Sequence, residues 1–113
     1  DPLSRRSLRV GMGTAFSLPH ARTTDLADEL RSLTGIEFYA MTPDPRAVPI
    51  GSITPGERVA IMIGSERSGL SGDLIALATP VRIPMAPGVD SLNAAAATAV
   101  ACFALGPHLA IRR

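Results

Sequence analysis

The sequence predicts one α/β domain with a mainly parallel sheet flanked by helices. Its 113 residues suit a single domain, and a hydrophobic content of 46% is enough to form a core. Candidate strands alternate with candidate helices along the chain, which is the order that produces parallel strands. We find no internal repeat and no interdomain linker.

The chain opens with a helix signal. Asp1 is a good N-cap, and Pro2 suits the first helical position because proline fixes φ and its missing N–H would have no helical partner there. These residues predict a helix over residues 2–12, ended by two glycines. The short apolar segment 15–18 then predicts a buried strand.

A second helix is predicted by leucine spacing. Leu26, Leu30 and Leu33 recur at helical spacing and form one apolar stripe. Either Thr23 or Thr24 can cap this helix, and the next glycine supplies its end.

Two strands follow, separated by a loop. Residues 36–41 predict the first strand, and residues 42–57 hold so many prolines and glycines that they predict a loop, with a brief extended piece at 48–50. Residues 58–63 are continuously apolar after the first, as in a strand covered on both faces.

The last third of the chain predicts helix, strand and helix. Residues 73–78 suit a short helix, and residues 81–83 suit a strand. Asp90 or Ser91 can cap a final helix over residues 92–105. That helix is rich in alanine and almost free of polar residues, so we expect it to be buried.

The loop between the strand at 58–63 and the helix at 73–78 carries the first chemical signal. It nearly fits the phosphate-binding pattern G-x-x-x-x-G-K-[ST], but Leu70 replaces the lysine and Glu66 adds a negative charge. A nucleoside-like ligand without phosphate therefore fits better than a polyphosphate. The alternative, a plain strand-to-helix turn in which Glu66 caps a helix, stays open.

Polar residues at the start of the last helix carry the second signal. Ser91 and Asn93 lie where free backbone N–H groups and the positive end of the helix dipole also lie. The alternative is that Ser91 is only an N-cap and Asn93 a solvated residue of the first turn.

Composition excludes several classes of protein. A net charge of +1 argues against a nucleic-acid binder held by charge alone. The single cysteine, Cys102, rules out an internal disulfide and a multi-cysteine metal site, and we expect it buried and the compartment reducing, hence cytoplasmic. His20 and His108 lack partners at metal-ligand spacing, so we expect no metal. No apolar run is long enough to span a membrane.

Two motifs follow each other in the C-terminal half. They read IGSERSGL at residues 63–70, then IPM at residues 83–85 with SLN at residues 91–93. Together they resemble the SpoU (TrmH-like) family, which are RNA ribose 2′-O-methyltransferases of the SPOUT class. DPLSRR at residues 1–6 and FSLP at residues 16–19 are also similar to the family segment that precedes the cofactor half.

The resemblance implies a fold, a cofactor and a set of site residues. It implies a SpoU-like methyltransferase domain over residues 1–113, N-terminally incomplete, with S-adenosylmethionine held in a C-terminal trefoil knot at about residues 58–105. Cofactor contacts would come from Met41, Gly64, Ile83, Met85 and Leu92. Catalysis, or the shape of the active site, would involve Glu66, Ser91 and Asn93.

The resemblance also identifies a missing part. In the family, an arginine of a first motif, N-x-G-x-x-x-R, is held to activate the ribose hydroxyl. This sequence contains no such motif, and we expect it upstream of Asp1. Family members act as homodimers through the last helix, so we expect a homodimer here.

The expected substrate is transfer or ribosomal RNA. Arg5, Arg6 and Arg9 cluster on the first helix and would contact RNA phosphates, unless they form a plain solvated face. Three other interpretations stay open: a non-catalytic remnant that binds RNA or a partner subunit, a base-methylating SPOUT enzyme, and a flavodoxin-like regulatory module.

Overall fold

The computed structural model describes residues 1–106 and contains a parallel sheet of four strands, in the order β2-β4-β1-β3. The strands are β1 (Glu37–Met41), β2 (Val48–Pro49), β3 (Val59–Met62) and β4 (Thr79–Arg82). The α-helices are α1 (Arg5–Val10), α2 (Leu26–Ser32), α3 (Gly72–Ala76) and α4 (Ala94–Leu105). The predicted α/β class with a parallel sheet is therefore confirmed. Among the described residues, no helix is both long and apolar enough to cross a bilayer.

Strand β1 lies inside the sheet and fixes its register. Tyr39 is paired with Ile61 of β3 on one side and with Thr79 of β4 on the other. Beyond the end of β1, the N–H of Thr42 donates to the carbonyl of Val81 at 2.9 Å. Because all the pairings are parallel, the carboxyl ends of β1, β3 and β4 lie at one edge of the sheet, which we call the carboxyl edge.

The core lies between the sheet and α4. Its buried residues are Tyr39, Ile50, Val81, Ala101 and Leu105. Val81 and Ala101 are fully buried, at 0% exposure, because the small side chain of Ala101 lets α4 approach the sheet closely. Strand β3 was expected to be covered on both faces, but it is an outermost strand of the sheet, and Met62 is its one buried residue.

The first helix is shorter than predicted at both ends. Its N-cap is Ser4, whose Oγ accepts from the N–H of Ser7 at 3.2 Å. Asp1 instead accepts from the N–H of Leu3 at 2.9 Å, so its carboxylate forms a turn ahead of the helix. At the other end, Met12 has a positive φ of 49°, which the helix cannot continue through.

The predicted strand at residues 15–18 is wrong. Residues Thr14–Phe16 form a 3₁₀ helix. In it the N–H of Phe16 donates to the carbonyl of Gly13, and the N–H of Ser17 donates to the carbonyl of Thr14. These local hydrogen bonds replace the pairing that a strand needs, and Phe16 is 77% exposed rather than buried.

Helix α2 has the predicted stripe but a different cap. Asp25 is the N-cap, and its Oδ1 accepts from the N–H of Asp28 at 2.9 Å. Thr23 supports the cap from outside, because its Oγ1 accepts from the N–H of Asp25. Leu26 and Leu33 are 45% and 47% exposed, so the described residues leave much of the stripe uncovered.

Helix α4 begins two residues later than predicted and is buried on one face only. Its cap is Asn93, rather than Asp90 or Ser91, because Asn93 Oδ1 accepts from the N–H of Ala96 at 2.7 Å. The face away from the sheet is open, so Cys102 is exposed and the expectation that it is buried is wrong. Phe103 on this face is 87% exposed.

One carboxylate ties the amino end of β1 to the loop before β3. Glu37 Oε2 accepts from the Tyr39 hydroxyl at 2.6 Å and from the N–H of Gly56 at 2.9 Å. These two hydrogen bonds lower the pKa of Glu37. Burial first, and then the bonded and negatively charged Glu37, raise the pKa of Tyr39 from 10.0 to about 12.

Tyr39 is therefore a built-in reporter of this network. It is the single tyrosine of a chain without tryptophan, so the ultraviolet absorbance of tyrosinate reports on it alone. We expect a midpoint near pH 12 in the folded protein and near 10.0 in denaturant. Because the pKa is raised by folding, the stabilisation is fully present below pH 10.0 and is lost as the pH rises towards 12.

Glu37→Gln tests the cause of the shift. Removing the charge should move the midpoint down towards 10.0 without reaching it, because Tyr39 stays buried. Asp73→Asn, which removes a carboxylate at the first turn of α3, is the control and should leave the midpoint unchanged. An unchanged midpoint in Glu37→Gln would contradict this account.

Candidate active site

A cavity of about 720 Å³ opens at the carboxyl edge of the sheet. Its wall is formed by the residues that follow β1, β3 and β4 and by the first turn of α4. All of the residues that the sequence assigned to cofactor binding or catalysis line it, namely Met41, Gly64, Glu66, Ile83, Met85, Ser91, Leu92 and Asn93. They come from four separate segments of the chain.

The predicted RNA-binding arginines are elsewhere. Arg5, Arg6 and Arg9 are exposed on α1 and do not line the cavity. None of the three takes part in an ion pair with any residue of the described range 1–106. Their side chains are therefore available at the surface, either to phosphates or to water.

The loop that follows β3, residues 64–70, folds back on itself. A Cβ added to Gly64 would lie 2.2 Å from the carbonyl carbon of Gly69 and 2.4 Å from the nitrogen of Leu70. Real Cβ atoms do not approach so closely, so this position requires glycine. Gly69 turns the chain with a φ of +66°, a conformation that glycine adopts at no steric cost.

Two serines hold the loop from within. The Oγ of Ser65 accepts from the N–H of Ser68 at 3.2 Å, and the two hydroxyl oxygens are 2.7 Å apart. The carbonyl of Ser65 also accepts from the N–H of Gly69 at 2.9 Å. The turn between these residues, which carries Glu66 and Arg67, is thus fixed by three hydrogen bonds.

Glu66 connects this loop to the start of α4. Its Oε1 accepts from the N–H of Ala94 at 3.4 Å, a long hydrogen bond across 28 positions of the sequence. Glu66 therefore does cap a helix, as the alternative proposed, but the helix is α4 rather than the adjacent α3. A carboxylate is favoured here because the first N–H groups of a helix carry partial positive charge.

The two ends of the Asn93 side-chain amide have different surroundings. Its Oδ1 is committed to the N–H of Ala96 at the helix cap. The Nδ2 amide group keeps its two N–H donors, and Asn93 lines the cavity. The alternative that Asn93 is only a solvated residue of the first turn, with Ser91 as the cap, is therefore wrong, because Asn93 is itself the cap. A capping role is compatible with a role in the site.

Sequence reasoning missed several residues that line the cavity. They are Thr42, Pro43, Ile63, Ser65, Arg67, Ser68, Gly69, Leu70, Ile75, Ala94 and Ala97. Thr42 and Pro43 follow a strand of a parallel sheet, where ligands are usually bound, and this position in the fold is the signal that would have found them. Arg67 lies inside the same glycine loop, but its position matches no site residue that the family resemblance implies.

The cavity carries little charge. Of the described residues that line it, Glu66 is the one carboxylate and Arg67 the one cation. Apolar side chains such as Ile63, Ile75 and Ile83 supply much of the remaining wall. Among residues 1–106, no three histidine, cysteine, aspartate or glutamate side chains are grouped so that they could hold a metal ion. His108 lies outside the described residues.

The close approach at Gly64 predicts a large effect of a single methyl group. We expect Gly64→Ala to lower the free energy of unfolding by about 2–4 kcal/mol, because loop backbone rather than a flexible side chain must move. Gly72→Ala is the matched control, since a Cβ there meets no atom within 4 Å and the residue lies in α3. Denaturant unfolding of both variants measures this, and equal stabilities would contradict it.

Comparison with known proteins identifies the family. The model of the SpoU rRNA Methylase family matches residues 1–103. A tRNA/rRNA methyltransferase of Mycobacterium tuberculosis, itself uncharacterized, is 40% identical over 109 residues, which cover 91% of this chain and 38% of that protein. The 23S rRNA (adenosine(1067)-2′-O)-methyltransferase of Streptomyces laurentii is 34% identical over 100 residues, which cover 86% of this chain and 37% of that protein.

Solved structures agree with this result. The AdoMet-bound rRNA methyltransferase from Sinorhizobium meliloti matches with a TM-score of 0.85 and 34% identity, over 96% of this chain and 42% of that chain. The SpoU methyltransferase AviRb from Streptomyces viridochromogenes, in complex with AdoMet, matches with a TM-score of 0.80 and 27% identity, over 97% of this chain and 44% of that chain. The chain thus spans less than half the length of these relatives. By its family match and its fold, the chain belongs to the SpoU rRNA methylase family.

Proposed function

We propose that this chain forms the cofactor-binding part of an S-adenosylmethionine-dependent RNA ribose 2′-O-methyltransferase. The observation that carries the proposal is the convergence of four sequence segments on one cavity at the carboxyl edge. Related proteins are named for methyl transfer to RNA, and the relative from Streptomyces laurentii is named for 2′-O transfer. The alternative of base methylation has no comparable support among them.

The cavity suits S-adenosylmethionine in size and chemistry. Its volume of about 720 Å³ lies within the range of ordinary small-molecule sites. Apolar wall residues such as Ile63 and Ile83 suit the adenine ring, and Gly64 leaves backbone close to the cavity. The cofactor has no phosphate, which agrees with the absence of a lysine from the glycine loop. Bound there, it would supply a methyl group activated by a positively charged sulfur.

Glu66 favours a cationic ligand. It is the one carboxylate among the described lining residues, and S-adenosylmethionine carries positive charge on its sulfonium and ammonium groups. Its bond to the N–H of Ala94 also holds the loop against α4. We therefore assign Glu66 to binding and to the shape of the site, and leave activation of the hydroxyl to the family arginine expected outside this sequence.

Ser91 and Asn93 are assigned to the ribose. Both line the cavity at the start of α4, and we place the approach of the 2′-hydroxyl at this part of the wall. The Nδ2 group of Asn93 donates and the Ser91 hydroxyl both donates and accepts, so together they can orient an oxygen nucleophile. Orientation is a large part of catalysis for such a displacement, because oxygen, carbon and sulfur must be in line.

We propose four further features of the protein, namely an RNA-contacting surface, a knot, a cellular location and a dimer. RNA would meet the exposed arginines of α1, namely Arg5, Arg6 and Arg9. The family resemblance supports a trefoil knot in residues 58–105 and a cytoplasmic location. It also supports a homodimer, in which a second copy covers the exposed apolar face of α4.

The activity test uses the protein expressed from its complete reading frame. We expect it to bind S-adenosylmethionine in calorimetry and to transfer labelled methyl groups to RNA, with the label recovered in alkali-resistant dinucleotides. Alkali resistance marks a blocked 2′-oxygen. Absence of binding heat would reject the cofactor assignment, and label on a base would favour the base-methylating alternative.

Asn93→Asp distinguishes the capping role of Asn93 from its proposed role in binding the substrate. Aspartate caps helices as well as asparagine does, so the free energy of unfolding should change by less than about 0.5 kcal/mol. The variant nevertheless loses the Nδ2 donor, and we expect kcat to fall at least about tenfold because a hydrogen bond to the substrate is lost. Asn93→Ala should lose stability as well, by about 1 kcal/mol, because the cap is removed. Full activity in Asn93→Asp would leave Asn93 as a cap alone.

The dimer is tested at Phe103. This side chain is 87% exposed on α4, and Phe103→Ser should raise the dimer dissociation constant at least about tenfold, because aromatic side chains contribute strongly to interfaces. Phe16→Ser is the control, since Phe16 is 77% exposed but lies in the N-terminal segment rather than on α4. Light scattering over a concentration series measures both. A dimer unchanged by Phe103→Ser would place the interface elsewhere.

A further inference from the structure

Arg67 lies on the rim of the cavity, and its positive charge has no role in the reaction proposed above. It lines the cavity and its side chain is exposed, so it faces solvent where a large substrate has to enter. The backbone beneath it is held by the hydrogen bonds between Ser65 and Ser68. The backbone from which the Arg67 side chain projects is therefore held at the cavity that Ser91 and Asn93 also line.

Arg67 is also free to bind an anion. The ion pairs within residues 1–106 join Arg22 to Asp1, Arg31 to Asp28 and Arg46 to Asp44. Glu66 is adjacent in sequence, but its carboxylate accepts from the N–H of Ala94 and forms no ion pair with Arg67. The guanidinium thus has no carboxylate partner in this part of the chain.

The chemistry of a ribose 2′-hydroxyl places an anion at this point. In RNA, the carbon next to the one that bears the 2′-hydroxyl carries the 3′-phosphate. Any site that holds a 2′-oxygen against a methyl donor therefore also receives a phosphate beside it. A guanidinium matches two phosphate oxygens with two parallel N–H donors.

We propose that Arg67 binds the phosphate on the 3′ side of the methylated ribose and positions the nucleotide for transfer. This rests on the proposed function and adds a substrate contact to it. The carboxylate of S-adenosylmethionine is the competing anion. The exposure of Arg67 on the rim favours RNA, because the cofactor occupies the interior in this proposal while the substrate enters from outside.

Arg67→Gln in the complete protein tests the assignment. We expect kcat/KM for RNA to fall roughly threefold to tenfold at low salt, the range for one charge-assisted contact at an exposed site. The slope of log K for RNA binding against log salt should decrease by about 0.7–0.9, the value for one phosphate contact. Affinity for S-adenosylmethionine alone, measured by calorimetry, should not change.

Two matched variants sharpen the result. Arg58→Gln makes the same charge change just before β3, at the opposite edge of the sheet, and should alter neither the slope nor kcat/KM. Arg67→Lys keeps the charge but not the paired donors, so it should keep the salt slope and recover only part of kcat/KM.

Three outcomes would contradict the proposal. An unchanged salt slope in Arg67→Gln would make Arg67 a solvated side chain, and weaker cofactor binding with an unchanged slope would give it to the cofactor carboxylate. Equal losses in Arg67→Gln and Arg58→Gln would show a general effect of charge. Failure of the wild-type protein to methylate RNA would reject the proposed function instead, while RNA binding and its salt slope would still decide whether Arg67 contacts phosphate.

Discussion

The contact between the backbone of Gly64 and that of Gly69 and Leu70 is the constraint on which the site depends. Strand β3 ends at the carboxyl edge, and the loop that follows it has to turn back sharply in order to form a wall of the cavity. With a distance of 2.2 Å from a hypothetical Cβ to the backbone, no residue with a side chain fits at Gly64. The tight return then carries Glu66 towards α4 and leaves Arg67 on the rim.

Sequence patterns predicted the strands that pair inside the sheet and failed for the apolar segment at residues 15–18, which joins no sheet. Strands β1 and β3 were predicted to within a residue or two, because burial against neighbours imposes a continuous apolar pattern. In the N-terminal segment, by contrast, Phe16 and Leu18 are exposed and local hydrogen bonds decide the conformation. An apolar run there resembles a strand in sequence, but within the described residues it has no sheet to join.

Helix caps show a different limit of sequence reasoning. Asp90, Ser91 and Asn93 are all good capping residues, so composition alone cannot choose between them. The choice depends on where the chain leaves the rim of the cavity and turns into α4, which is a property of the whole fold. Asp1 and Ser4 show the same ambiguity, and there too the later residue is the cap. The residues that the family resemblance implies all line one cavity at the carboxyl edge of the sheet, while their roles there stay a prediction.

Helix α4 joins the site to the core through one stripe of residues. Ala94 and Ala97 line the cavity, and one and two turns further on Ala101 and Leu105 are buried against the sheet. A shift of the helix along its axis would therefore change both at once. Small side chains on this stripe let the helix lie close to the cavity at one end and to Val81 at the other, and a ligand that fixes the first end also favours the packed state of the second. Close approach on this face thus explains Ala94, Ala97 and Ala101, while Ala95 and Ala99 are exposed and the opposite face presents Phe103 to solvent.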